Sequence, residues 1–520
     1  MFVLPTLAEL NLVAVLPATI VAVGMCLLLL LDLWVPAERK VVTAWYAIGI
    51  LALAFVANIL IYNRPGEAMF GMFVADTTTA FLNLVVLLTA FISILLSVDY
   101  LKRAKMEKGE FYSLVLFSAS GAMFMVSAND LVLIFIALEL LSIPLYVMAA
   151  FRYPTRDVQP SSPLYHVGIR SEESGMKYFI LGAFASAFLV YGSALIYGGS
   201  GSTNLNRIFE AVSILLQGEA TQAISPLLLL MGASLLLVGL GFKVAVFPFH
   251  MWTPDVYEGA PTNVTAYMSV VAKVGGFAAL ARVMASALPV LVVGGAQTAA
   301  WQLGISLIAG LTMVLGNFVA LSQTNIKRML AYSSIAHAGY ILMAIAAAGS
   351  SVNAESTLNA VSMYLMAYMF TNLGAFAVSI AIEKVDGTGT NLNDLVGLYR
   401  TQPQLALLMA WFMLSLTGIP LTGGFIGKYF VFSAAVQAEL YPLAIVGVLT
   451  SVASAFYYMR VVINMFLRDD QPGDPAEGAT PYLMSAVYLS AVGVLVMGVF
   501  PTLATNLFPM IPALIPLLGF

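Results

Sequence analysis

GLGFKVAVFPFHMWTPDVYEGAP, residues 239–261, sets a lysine beside a helix break at the end of an apolar run, a combination that an ordinary membrane helix avoids. Residues 226–240 are apolar enough to belong to a span; Lys243 follows, then Pro248 and Pro254. Proline lacks a backbone donor and clashes with the preceding turn, so the helix should kink or open here. An opened backbone at membrane depth persists only where protein or a water-filled cavity satisfies its polar groups. Lys243 is therefore expected to face a hydrated interior; the alternative is a helix end whose lysine snorkels to the surface.

Composition outside this stretch sets the class. Of 520 residues, 61% are hydrophobic and 9% charged, against about 25% charged in a soluble domain, so the chain is a polytopic, all-α membrane protein that meets the lipid bilayer. Cys26 is the only thiol, which excludes disulfides, a CxxC redox pair and an iron–sulfur site within the chain. His166, His250 and His337 are too scattered for a metal site. There is no GxGxxG, and Gly427-Lys428 lacks the other residues of a phosphate loop. Neither a bound nucleotide nor a nucleic-acid partner is expected.

A bilayer core of about 30 Å needs about 20 apolar residues, and about fourteen stretches qualify, from 11–34 to 481–508. The fifth covers 130–151, the sixth 176–198, the seventh 225–247 and the twelfth 404–434. The seventh and twelfth are interrupted by proline or glycine. Lysine and arginine fall unevenly between alternate loops: 15 of the 18 that lie in loops are on one side. The positive-inside rule makes that side cytoplasmic and puts both termini in the periplasm. The first span lacks a basic leader and a cleavage site, so it is read as retained. The remaining basic residues, Lys177, Lys243, Lys273 and Lys428, are placed inside spans. Arginine stays charged at any reachable pH, whereas a buried lysine shifts its pKa readily. Four buried lysines and no buried arginine point to groups that load and release protons.

The fifth span, NDLVLIFIALELLSIPLY, carries Glu139 nine residues beyond Asp130, hence ~13 Å into the membrane. A carboxylate there is a functional hypothesis, its structural alternative being an ion pair that ties two helices. His337 lies ten residues beyond Lys327, hence ~15 Å deep, and in line with the lysines it fits a relay. The twelfth span, LSLTGIPLTGGFIGKYFVF, repeats the seventh: Pro420, Gly423, Gly424 and Gly427 break it and Lys428 follows. Paired broken helices in two halves point to an internally repeated transporter. Five spans per repeat would make the copies enter the membrane in opposite directions. The expected organisation is a three-helix segment at 1–111, a proton-conducting first repeat at 112–284, a second repeat at 300–467 and a C-terminal helix at 480–520.

FIALELLSIPLY, the 239–261 segment, KRMLAYSSIAHAGY and GIPLTGGFIGKYF together resemble the antiporter-like membrane subunits of NADH-quinone oxidoreductase, respiratory complex I, over nearly the whole chain. PFHMWTPDVYEGAP is similar to the N-subunit branch, which Thr253 and Lys428 favour over the sibling branches. The loop FRYPTRDVQPSSPLYHVGIRSEES is longer than the family pattern and is a candidate partner contact. The resemblance implies a proton route in which Glu139 pairs with Lys243, Lys273 and His337 form a central connection, Lys428 is the terminal group and Lys177 is a further lysine of the set. A charge moved next to the Glu139–Lys243 pair would change the lysine's proton affinity and push protons toward His337 and Lys428.

The resemblance also implies a translocase subunit without a cofactor of its own. Quinone, flavin and iron–sulfur clusters would be held by partner subunits, and the neighbours would be other membrane subunits of the assembly. The implied location is the bacterial plasma (inner) membrane, with a thylakoid-type membrane as the alternative. A subunit of a multi-subunit cation/proton antiporter and one of a membrane-bound hydrogenase complex are the competing readings.

Overall fold

The polypeptide is described here by a computed structural model covering residues 10–62, 64–153, 159, 161–216, 225–288, 299–349, 354–384, 386–468 and 479–505. In chain order its helices are α1 (Leu16–Asp32), α2 (Val41–Ile61), α3 (Thr77–Arg103), α4 (Glu110–Ser127), α5 (Leu131–Ala149), α6 (Pro163–Ser200), α7 (Leu205–Leu216), α8 (Pro226–Val244), α9 (Trp252–Gly259), α10 (Thr262–Ala281), α11 (Gln302–Ser322), α12 (Ile326–Ala347), α13 (Ala354–Ile382), α14 (Pro403–Thr417), α15 (Gly423–Gln437), α16 (Tyr441–Leu467) and α17 (Pro481–Val499). A small antiparallel hairpin, β1 (Gly66–Ala68) and β2 (Phe73–Ala75), with Glu67 opposite Val74, joins α2 to α3. Among the described residues, 13 helices are long and apolar enough to cross a membrane. α14 and α15, 15 residues each, are too short to cross alone at 1.5 Å per residue; together they occupy the range of the expected twelfth span.

Burial separates the helices into two layers. α3, α10, α12 and α13 are enclosed by protein almost all round, whereas α1, α2, α6, α11, α16 and α17 keep an open apolar face. A helix shielded from lipid can carry hydroxyls and amides, because neighbouring helices supply the partners that lipid cannot. α10 and α12 do so, with Asn263, Ser269 and Lys273 on one and Lys327, Ser333, Ser334 and His337 on the other, all buried. With the short α7 set aside, α4, α5, α6, α8–α9 and α10 follow the same order as α11, α12, α13, α14–α15 and α16, a broken member coming fourth in each. Gly121 of α4 lies where a Cβ would stand 2.3 Å from Leu141 N of α5, and Gly316 of α11 where one would stand 2.6 Å from Ala336 N of α12. Each half thus opens with a pair of helices pressed together through a glycine.

Several elements depart from the sequence expectation. The sixth span begins at Pro163, so residues 163–175 of the long loop are the first turns of a 38-residue helix; residues 154–158 and 160 of that loop lie outside the described residues. Ser162 precedes a proline at the first helical position, a strong start signal that the polar content of the following turns obscures. The last span ends at Val499, and residues 506–508 of the expected range lie outside the described residues. The seventh span stops at Val244, before either proline, because Ala245 takes a left-handed conformation (φ 62°) and closes the helix through N–H bonds to Gly241 O and Phe242 O. Buried arginine is present: Arg282 and Arg152 are 6% and 7% exposed. Arg282, expected in a loop, continues α10 in a π turn and donates to both carboxylate oxygens of Asp76 at 2.9 and 3.0 Å.

Candidate functional site

The polar groups of the interior gather around the two helix breaks. At the first, Lys243 sits in the last turn of α8, where the helix dipole favours a cation, and is 3% exposed. Its Nζ donates to Ser142 Oγ at 2.7 Å and Tyr178 OH at 3.2 Å, and lies over the rings of Tyr146 and Tyr178 at 5.8 and 5.3 Å. Carbonyls at the break find side-chain donors: Phe242 O, which also takes the Ala245 N–H, accepts from Trp252 Nε1 at 3.0 Å, and Val244 O from Lys273 Nζ at 3.1 Å. Unsatisfied carbonyls are the expected fate of a helix C-terminus, so the break is held open by side chains from α9 and α10.

The second break has the same construction. α14 ends at Gly418 (φ 89°), Leu421 also adopts positive φ, and α15 starts at Gly423. Lys428 reaches back across the gap to donate to Thr417 O at 2.7 Å and to Ser451 Oγ at 2.8 Å, and it lies 5.3 Å from the centre of the Tyr340 ring. Gly424 N donates to Ser415 Oγ at 3.1 Å, and that hydroxyl also bonds Thr371.

Between the breaks runs a line of tyrosines and serines. Lys273 donates its second bond to Ser334 O at 2.8 Å. The Ser334 hydroxyl accepts from Tyr368 OH at 2.8 Å and lies 3.5 Å from Tyr257 OH. Three residues along α12, His337 bonds Tyr364 OH through Nδ1 at 2.6 Å and Tyr458 OH through Nε2 at 3.1 Å. Each tyrosine hydroxyl can donate or accept, so either neutral tautomer of His337 is satisfied. A small cavity, about 10 Å³ of room for a water's centre, connects His337, Tyr364 and Tyr368 with Ser415 and Gly424 beside the second break. That is roughly one water.

Of the residues selected from sequence, Lys243, Lys273, His337 and Lys428 are therefore brought into one buried line. Glu139 and Lys177 stand apart from it. Glu139 is half-buried and accepts from Ser186 Oγ of α6; among the described residues it forms no ion pair with Lys243. The expected contact is intercepted by Ser142, three residues further along the same face of α5, which takes the ammonium instead. Lys177 is not buried: its side chain is 42% exposed and is paired with Glu173 at 2.6 Å and Asp255 at 2.9 Å. The helix starts so early that residue 177 falls at its charged, protruding end. Asp255 also accepts from Arg328 at 2.8 Å, and Arg328 from α12 reaches Glu258 at 3.0 Å, so α9 is tied by ion pairs to both halves.

Sequence reading missed the linking hydroxyls. Tyr364 and Tyr368 had a signal, two tyrosines four apart on one face of a membrane-length helix; Ser142 and Tyr458 had none. It also missed Lys327, counted as a loop residue but 4% exposed, and Glu383, likewise 4% exposed.

Residues 128–454 match the family model described as "NADH:quinone oxidoreductase/Mrp antiporter, TM". The chain is 44% identical to NADH-quinone oxidoreductase subunit N 1 of Herpetosiphon aurantiacus over 482 residues, 92% of each chain. It is 42% identical to NADH-quinone oxidoreductase subunit N of Trichlorobacter lovleyi over 494 residues, 95% of each. Among solved structures it resembles a chain of respiratory complex I from Thermus thermophilus, with TM-score 0.76 and 34% identity over 94% of this chain and 98% of that one. A chain of the Mrp complex from Dietzia shares the fold, with TM-score 0.78 at 21% identity over 96% of both.

Proposed function

The chain belongs to the NADH-quinone oxidoreductase subunit N family, and from that premise we propose that it moves protons along Lys243, Lys273, His337 and Lys428, with Glu139 and Lys177 acting on the line from its flank. As a subunit of a complex I-type assembly it translocates protons while electron transfer takes place in other subunits. The observation that carries the residue assignment is the repeated construction of the two breaks, each with a buried lysine on a freed carbonyl and with His337 between them. A lysine so placed can be held as a cation by carbonyl dipoles or released as a neutral amine, because its counter-ion is not in direct contact. Glu139, one turn from Ser142, acts on Lys243 through space, and a charge arriving near Glu139 changes how firmly Lys243 holds its proton. Lys177 serves this line by holding α9 through Asp255.

The finer organisation follows the same reading. The chain divides into a three-helix segment (1–111), a first repeat (112–284), a second repeat (300–467) and a C-terminal segment (480–520), residues 1–9 and 506–520 lying outside the described residues, and it lies in the bacterial plasma membrane with periplasmic termini. Quinone, flavin and iron–sulfur clusters reside in partner subunits, and the flanking partners are membrane subunits of the same assembly.

The test is Lys243→Arg in the assembled complex, with Lys428→Arg judged by the same criterion. Arginine keeps the charge and cannot readily deprotonate, so a relay stops where a structural cation would not. Quinone-reduction rate and proton uptake are measured in membrane vesicles, with assembly checked on native gels. Loss of proton uptake in an assembled Lys243→Arg complex is expected; wild-type pumping would return Lys243 to a structural role.

A further inference from the structure

On the face made cytoplasmic by the charge asymmetry, the last turn of α3, the segments after α5 and α13, the first turns of α6, the turn from α9 to α10 and the start of α12 converge on a cavity that the relay does not use. Its walls include Tyr100, Arg152, Arg170, Glu258, Lys327 and Glu383, and it has about 30 Å³ of room for water centres, enough for roughly two waters. Arg170 and Glu258 also line an adjoining, wider polar pocket of about 270 Å³ beside Lys177, Asp255 and Arg328. The inner cavity thus has a hydrated approach.

Glu383 is the unusual member. It is 4% exposed, its Oε1 accepts from Tyr100 OH at 3.3 Å, and its Oε2 has no hydrogen-bond partner among the described residues. Leaving a buried carboxylate oxygen empty is costly unless water fills the place. Tyr100 in turn accepts from Thr262 N at the first residue of α10, and Lys327 donates to Ala260 O at 2.7 Å. From Lys327 to Ser334, where Lys273 docks, is seven residues of α12, ~10 Å, and Tyr257 stands alongside with its hydroxyl 3.5 Å from Ser334 Oγ. The charged groups around Glu383 come from every neighbouring element: Arg103 on α3, Arg152 after α5, Arg170 on α6, Glu258 on α9, Lys327 on α12 and Lys384 beside it.

We propose that Glu383 collects protons from the cytoplasmic solution for the central lysine. Its carboxylate takes a proton from cavity water, leaving hydroxide to be neutralised by bulk solution. The resulting carboxylic acid returns to carboxylate as the proton passes through cavity water toward Tyr257, Ser334 and a neutral Lys273. The inference rests on the orientation and relay proposed above, and it places uptake under Lys273 at the junction of the halves.

The experiment uses the complete complex in inverted membrane vesicles and compares Glu383→Gln, Glu383→Asp and Lys243→Ala, reading quinone reduction and proton uptake as external pH is raised. Glu383→Gln keeps shape and the bond from Tyr100 but cannot ionise. Its proton uptake per quinone should fall, with the deficit deepening as protons become scarce, and Glu383→Asp should restore it. Wild-type uptake by Glu383→Gln at every pH, with Lys243→Ala impaired, overturns the assignment to Glu383 and spares the relay; if neither variant is impaired, the relay fails and Glu383 with it. If Glu383→Gln does not assemble, Tyr100→Phe carries the test, because a collector loses its neighbouring hydroxyl: a displaced pH profile upholds the proposal and a wild-type profile overturns it.

Discussion

Asp76 and Arg282 illustrate how much one buried charge can hold in place. Asp76 caps α3 through Thr79 N and receives both terminal nitrogens of Arg282, whose Nε donates to Val126 O of α4. Partial burial works to raise the carboxyl's pKa, but the guanidinium and the Thr79 bonds outweigh it and hold Asp76 below the usual carboxylate range. Asp76→Asn strands a buried cation, and losing one partner of such a pair removes about 3–5 kcal/mol; the 38% exposure of the Asp76 side chain argues for the lower end. A depressed carboxylate contributes fully above its unfolded pKa and loses its contribution as pH falls through the folded value. The melting temperature of the wild type should therefore exceed that of Asp76→Asn at neutral pH, and the gap should close only once pH drops below 3.8, the ordinary value. A gap unchanged down to strong acid would sever the stabilisation from Asp76 ionisation. Such a pair was invisible in sequence, since 206 residues separate its members. Lys243 and His337 were legible because a lone polar group in an apolar run is conspicuous, whereas Ser142 was not, because serine is ordinary in membrane helices.

At the scale of elements, the break between α14 and α15 was readable because Pro420, Gly423 and Gly424 are poor helix formers set close together, whereas Gly427, read as part of the break, lies inside α15. Its necessity can be tested at Gly424, where an added Cβ would stand 1.8 Å from Ser415 O. That carbonyl belongs to the end of α14 and cannot yield without moving the break. Gly424→Ala should destabilise by at least about 2–3 kcal/mol, the upper range for overpacking, and reduce assembly on native gels. Gly304→Ala on α11, where an added Cβ has open space around it, should stay within about 0.5 kcal/mol. Equal behaviour of the two would mean that the gap is soft. The start of α6 was harder to see, because Arg170, Glu172 and Glu173 mark its first turns as loop by composition. At 38 residues that helix is ~57 Å long, about twice the bilayer core, so this charged end stands clear of the membrane.

The whole molecule is polarised: ion pairs and the two polar pockets crowd one face, and among the described residues basic groups are sparse on the other. The orientation this implies is tested by labelling single cysteines in a Cys26→Ser background with an impermeant reagent. Glu110→Cys, exposed at the start of α4, should react from the cytoplasmic side, and Asn206→Cys, exposed on α7, from the periplasmic side. Reversed labelling would invert the direction of transport assigned to every residue above. The class and the span count were legible at this scale because apolar runs of membrane length are hard to mistake. The enclosure of α10 and α12 was not, since it depends on which helices happen to surround them.

Lys273 rests on two main-chain carbonyls, Val244 O and Ser334 O. A carbonyl oxygen steadies a donor but cannot pass its proton on, so at rest the ammonium is parked at a dead end. On the proposed relay, proton flow would require the side chain to swing away, which means giving up two hydrogen bonds. An idle assembly would then be an open circuit: the geometry that holds the broken helix together would also insulate the membrane against leak when no electrons arrive.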